Sequence, residues 1–151
     1  MVECGMTDHD SEFDGGQRER NLAAVRAGIE GWGSGTGSPF ALLADDVTWE
    51  ITGNSDAAGI YSSRAELMTR VIVPLAGRMS APLIPVIRAL YRDGDTVIAL
   101  FDAEGTARDG QPYRNTYAWF MQFRGDRIVK VTAFYDSVAF NDLWHRVAPA
   151  S

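Results

Sequence analysis

At 151 residues the chain is long enough for one domain with a continuous core and too short for two ordinary ones. Its 46% apolar and 11% aromatic content argues against wholesale disorder, while its apolar runs fall short of the ~18 residues that a membrane helix needs. Fourteen basic against twenty acidic side chains give a net charge of −6, a field that repels phosphate backbones and anionic lipid, so neither nucleic acid nor a membrane is an expected partner.

One cysteine, Cys4, rules out an internal disulfide and a cysteine-ligated zinc site. Residues 1–16 are acidic and lack the basic-plus-apolar pattern of a signal peptide, so they read as a disordered tail on a cytoplasmic protein whose single domain covers 17–151. From Gln17 to Trp32, the spacing of Leu22, Val25, Ile29 and Trp32 predicts an amphipathic helix with one buried stripe. A glycine-rich connector follows, and Ser38-Pro39 predicts the capped start of a short helix, Pro39 to Ala44. Val47 to Thr52 has strand composition, and a loop leads to an extended piece at Ile60-Tyr61.

Ser63-Arg64-Ala65-Glu66 fits a capping box, and Leu67, Val71 and Leu75 continue that helix at four-residue spacing until Pro74 kinks or ends it and Gly77 stops it. Three turn signals, Asp93-Gly94, Asp109-Gly110 and Gly125-Asp126, then separate strand-like runs and predict a four-stranded antiparallel meander with long strands. A short helix over Ser137 to Val147 closes the chain. Helices first and a sheet second make this an α+β arrangement.

The strand faces carry the chemistry. On Asp95 to Glu104 both faces begin apolar; Ile98, Leu100, Asp102 and Glu104 share one, and Val97, Ala99, Phe101 and Ala103 the other. On the next strand Tyr113, Asn115, Tyr117, Trp119 and Met121 form the heavier, more aromatic face; on the last, Tyr135 lies with Val129, Val131 and Ala133. A pocket face uniting Leu100 and Asp102 with Asn115, Tyr117, Trp119 and Tyr135 is mostly apolar with a few converging polar groups, the usual make-up of a small-molecule site.

Asp102 held among aromatic rings is desolvated and poised as a general acid or base; the plainer alternative is a solvated carboxylate near the strand end, or one hydrogen-bonded to Asn115 or a tyrosine. Lys130 falls on the more polar face as an ordinary solvated lysine. His9 in the tail and His145 near the end of the last helix suggest no catalytic pair, and no spacing suggests a metal site.

The element order, with Ala44-Asp45-Asp46-Val47-Thr48-Trp49, Tyr113-Arg114-Asn115-Thr116-Tyr117-Ala118-Trp119, and Gly125-Asp126-Arg127-Ile128-Val129 leading to Tyr135-Asp136, resembles the nuclear transport factor 2-like superfamily. The local likeness is to its SnoaL-like, polyketide-cyclase-like branch, over roughly Gln17 to Val147. The resemblance implies a cone-shaped fold, N-terminal helices on a strongly curved, mostly antiparallel sheet.

Laid against the limonene epoxide hydrolases of that superfamily, Asp102 matches one of two acids that hold the catalytic water, but Leu100 stands where the intervening arginine belongs and Ala133 where the second acid belongs. Trp49 and Ile51 replace the helper tyrosine and asparagine. In the ketosteroid isomerases the proton-shuttling acid falls at the position of Ile51. Superfamily dehydratases use a pocket histidine, and neither histidine here lies on a strand.

The expected function is therefore binding of a small hydrophobic molecule in an apolar cone-shaped pocket walled by Trp49, Ile51, Leu100, Asn115, Tyr117, Trp119 and Tyr135. Asp102 would drive isomerisation, cyclisation or hydrolysis, with no cofactor and no metal. The alternative from another class is a noncatalytic ligand-binding or protein-docking module of the same fold. An outer sheet face bearing Phe101, Phe120 and Phe134 is costly to leave in water, which predicts a homodimer paired through the sheet.

Overall fold

A computed structural model describes the backbone of residues 2–150 and the side chains of residues 15–150. Helix α1 (Val2–Ser34) includes the expected amphipathic segment; the tail expected over 1–16 falls, apart from Gly15 and Gly16, outside the described side chains. Val25 and Ile29 are fully buried, and the stripe extends to Asn21, whose Nδ2 donates to Gly125 O at 3.0 Å and ties the helix to a sheet turn. The connector then folds back on the helix end: a Cβ on Gly31 would lie 2.9 Å from Gly37 N, so only glycine permits this approach.

Ser38 Oγ accepts from Phe40 N at 3.1 Å and caps a 3₁₀ turn, Pro39–Leu42, shorter than the expected helix. Strands β1 (Leu43–Ile51) and β2 (Gly59–Tyr61) follow. The capping box forms with a shift: Ser63 Oγ accepts from Glu66 N at 3.0 Å, but the Glu66 carboxylate reaches Ser62 N at 2.6 Å. It starts a continuous helical segment made of α2 (Arg64–Leu67), a π turn (Met68–Ile72) and α3 (Val73–Ala76). Pro74 has no N–H for the carbonyl four residues back, and the chain absorbs the loss by widening: Val73 N donates to Met68 O, five residues away.

The meander is β3 (Ile84–Asp93), β4 (Thr96–Thr106), β5 (Pro112–Arg124) and β6 (Arg127–Tyr135), all antiparallel neighbours. The six strands run in the order β2-β1-β6-β5-β4-β3, with β1 parallel to β6. Register shifts between Ile87 and Ala89, and between Gln122 and Phe123, mark irregularities that bend the strands, and the sheet stays open, with β2 and β3 at its edges. Helix α4 (Ser137–Arg146) starts at Asp136, whose Oδ1 accepts from Val138 N at 2.9 Å. The buried Arg78 guanidinium donates to Pro74 O at 3.0 Å and Trp144 O at 3.3 Å and lies 3.7 Å over the Trp144 ring, joining the ends of α3 and α4. No described helix is long and apolar enough to cross a membrane.

Candidate functional site

The inner sheet face and the helices enclose a cavity of about 570 Å³. Trp49, Ile51, Tyr117, Trp119, Ala133 and Tyr135 form its sheet wall. The helical wall opposite uses the Leu67, Val71 and Leu75 stripe, and the widened π turn adds Ile72. Trp32 from the end of α1 and Phe40 from the 3₁₀ turn close one side, and Phe140 of α4 another. Gly35 and Gly37 of the connector and residues 80–83 complete the lining.

Two aromatic groups shape the interior. Trp119 packs edge-on against Trp49, with centroids 5.1 Å apart, and against Phe101 at 4.9 Å. Tyr135 stacks on Phe140 at 4.8 Å, and Phe140 on Trp144 at 4.9 Å. Among the described residues no Asp, Glu, His, Lys or Arg side chain lines this cavity; its polar side chains are Ser80, the indoles of Trp32, Trp49 and Trp119, and the phenols of Tyr117 and Tyr135.

A chain of hydrogen bonds reaches each hydroxyl from behind the wall. Asn115 Nδ2 donates to Tyr113 Oη at 2.8 Å, and Tyr113 and Tyr117 share a bond of 2.7 Å. Tyr135 Oη lies 2.8 Å from the buried Ser55 Oγ, in the loop between β1 and β2. Asn141 Oδ1 accepts from Asp56 N at 2.8 Å, and His145 pairs with the Asp56 carboxylate, so α4 clamps this loop. Burial pushes the Tyr113, Tyr117 and Tyr135 phenols above their ordinary range, and all three stay protonated at neutral pH.

Of the residues singled out by sequence, Trp49, Ile51, Tyr117, Trp119 and Tyr135 come together on the cavity wall. Asn115 is buried behind it. Its Oδ1 accepts from Thr116 N at 2.8 Å and Asp136 N at 2.9 Å, and its Nδ2 also donates to Asp136 O at 3.0 Å, so it pins β5 to the start of α4.

Asp102 and Leu100 must be moved to the opposite face. Directly paired residues of antiparallel strands project on the same side, and the register pairs Phe101 with Tyr117 and Asp102 with Thr116. Phe101, expected outside, is therefore fully buried, whereas the Asp102 side chain is 51% exposed. Its Oδ1 accepts from Thr116 Oγ1 at 2.6 Å and lies 3.8 Å from Arg88 Nη1, away from the cavity.

Trp32, Phe40 and Phe140 are the aromatic wall residues that strand reasoning missed, beside the aliphatic Leu67, Val71, Ile72 and Leu75 of the helical wall and Ala133 of β6. The signals for the three aromatics were the buried stripe of α1, the Ser38-Pro39 turn start and the apolar side of α4. Lys130 is exposed, and among the described residues no three His, Cys, Asp or Glu side chains gather as metal ligands would.

Solved structures share this architecture. Bal32a, from a soil-derived mobile gene cassette, is 20% identical over 85% of this chain and 99% of its own, with a TM-score of 0.70. A nuclear transport factor 2-like protein from Burkholderia thailandensis is 22% identical over 83% of this chain and 97% of its own, with a TM-score of 0.66. A protein from Catenulispora acidiphila with a ketosteroid isomerase-like fold, solved with trimethylamine, is 19% identical over 77% of this chain and 85% of its own, with a TM-score of 0.57. No curated protein sequence matches the chain significantly. At these identities the likeness establishes the fold, that of the nuclear transport factor 2-like superfamily. The model of the SnoaL-like domain matches residues 19–131, most of the chain, which therefore belongs to the SnoaL-like domain family.

Proposed function

We propose that this protein binds a small, uncharged, largely apolar molecule in the aromatic cavity, and that this binding, rather than proton transfer at Asp102, is its function. The observation that carries the reading is the cavity's lining: about 570 Å³ of space walled mainly by aromatic and aliphatic side chains, with no charged group among the described residues. A charged ligand would lose its hydration there with no counter-charge to replace it. Acid/base chemistry needs a group within reach of the substrate, and the carboxylate expected to supply it projects from the other side of the sheet.

Thermal unfolding against matched neutral and ionised ring compounds tests this. Neutral members raise the melting temperature, and their carboxylate and ammonium analogues leave it unchanged. Because the phenols remain protonated and no group of the lining titrates near neutrality, affinity for a neutral ligand is flat from about pH 5 to 9. Preferential stabilisation by the ionised compounds, or a steep pH dependence, would overturn the proposal.

The same reading includes pairing of two copies through the outer sheet face. Tyr91, Ile98 and Phe120 form one cross-strand row there, and Ala89, Leu100, Ala118 and Phe134 form the next. Tyr91, Phe120 and Phe134 are all exposed, as are Ile84 and Val86 on β3. So many large apolar side chains on one face favour burial against a like surface. At micromolar concentration the chain sediments at twice its monomer mass, and Phe120→Glu with Phe134→Glu reduces it to the monomer; a monomeric wild type rejects the pairing.

A further inference from the structure

We propose that Tyr117 selects the ligand by donating a hydrogen bond to it, so that the bound molecule is an uncharged cyclic compound presenting a carbonyl oxygen, with Asn115 and Tyr113 as the positioning residues that aim the donor. This rests on the reading of the cavity as a site for neutral ligands and adds the direction of its one relayed polar contact.

The direction follows from counting protons along the chain of bonds. Asn115 Oδ1 receives two backbone N–H groups, from Thr116 at 2.8 Å and Asp136 at 2.9 Å, so the orientation of its amide is fixed. Its Nδ2 must then donate, to Asp136 O at 3.0 Å and to Tyr113 Oη at 2.8 Å. Tyr113 is 2% exposed, and its hydroxyl has one other partner among the described residues, Tyr117 Oη at 2.7 Å. Were Tyr117 the donor in that bond, Tyr113 would accept twice and its own proton would be buried with no acceptor, a costly arrangement. Tyr113 therefore donates to Tyr117.

Tyr117 in turn has no other acceptor among the described residues, and it lines the cavity. Its proton is left for whatever occupies that space. A hydroxyl that already accepts a hydrogen bond is polarised into a stronger donor, so the relay sharpens the preference for an acceptor oxygen. Tyr135 is different: its bond to Ser55 joins two hydroxyls, either of which can be the donor, and nothing further along that pair sets the direction.

Calorimetric titration with 1-tetralone and tetralin, the same ring system with and without the carbonyl, reads this contact directly. Tyr117→Phe weakens tetralone binding about tenfold, the worth of one buried hydrogen bond, and leaves tetralin within about twofold. Tetralin binding also reports that the variant cavity is folded. The infrared carbonyl stretch of bound tetralone moves to lower frequency in the wild type and returns toward its apolar-solvent value in Tyr117→Phe. If both compounds bind the wild type and Tyr117→Phe leaves their affinity ratio unchanged, the selection by Tyr117 is wrong while the neutral-ligand cavity stands. If neither binds, both readings fall.

Discussion

Asn115→Ala is expected to lower folding stability by about 3 kcal/mol, although Asn115 touches nothing in the cavity. Its amide makes four bonds at once: Oδ1 serves the backbone N–H groups of Thr116 and Asp136, and Nδ2 serves Asp136 O and Tyr113 Oη. Alanine leaves two part-buried N–H groups without their acceptor and removes the link between β5 and the first turn of α4. Ordinary surface changes move stability by less than about 0.5 kcal/mol, so urea unfolding followed by tryptophan fluorescence separates the outcomes clearly. A midpoint equal to wild type would mean that the amide is not the pin the geometry makes it.

Asn115→Asp divides the residue's two roles. One carboxylate oxygen can still accept from both backbone N–H groups, but the other is an acceptor where Nδ2 had been a donor. Tyr113 would then turn its proton toward residue 115 and accept from Tyr117, so the relay would run backwards and withdraw the proton offered to the cavity.

The helices and turns were legible because short-range chemistry determines them. Ser63 and Glu66 mark a helix start within four residues, and Gly94, Gly110 and Gly125 adopt positive φ at the three turns read from Asp-Gly and Gly-Asp pairs. The parallel pairing of β1 with β6, which carries Trp49 beside Val131 and Ile51 beside Ala133, joins segments about 80 residues apart and leaves no local mark.

The face of β4 was harder for a specific reason. Val97 and Ile98, then Ala99 and Leu100, alternate one apolar side chain with another, so periodicity leaves the strand's inner face open. Register decides it: Phe101 opposite Tyr117 puts odd-numbered residues of both strands on one side, and a slip of a single residue would have exchanged Phe101 for Asp102 inside the cone. The size of the side chains pointed the right way, since the exchange would bury a carboxylate beside aromatic rings and expose a phenylalanine.

Trp119→Ala is the variant expected to cost most, about 3 to 5 kcal/mol, the usual price of truncating a buried large aromatic. Trp119 is the hub of the aromatic wall: Trp49 and Phe101 meet it edge-on at 5.1 and 4.9 Å, Phe40 lies at 5.7 Å, and Trp32 stacks on it at 6.2 Å. Those neighbours belong to α1, the 3₁₀ turn, β1 and β4, so no single element can shift to fill the gap. The void also opens into the existing cavity and leaves an apolar space of enlarged, defined shape, the kind of site that small aromatic solutes occupy. Indole at millimolar concentration should therefore raise the melting temperature of Trp119→Ala by more than that of the wild type, because the truncated site fits it and binding to the folded state alone stabilises. Equal shifts for the two proteins would show that the wall had collapsed inward, and a loss of stability below about 1 kcal/mol would show that Trp119 is not the hub of the wall.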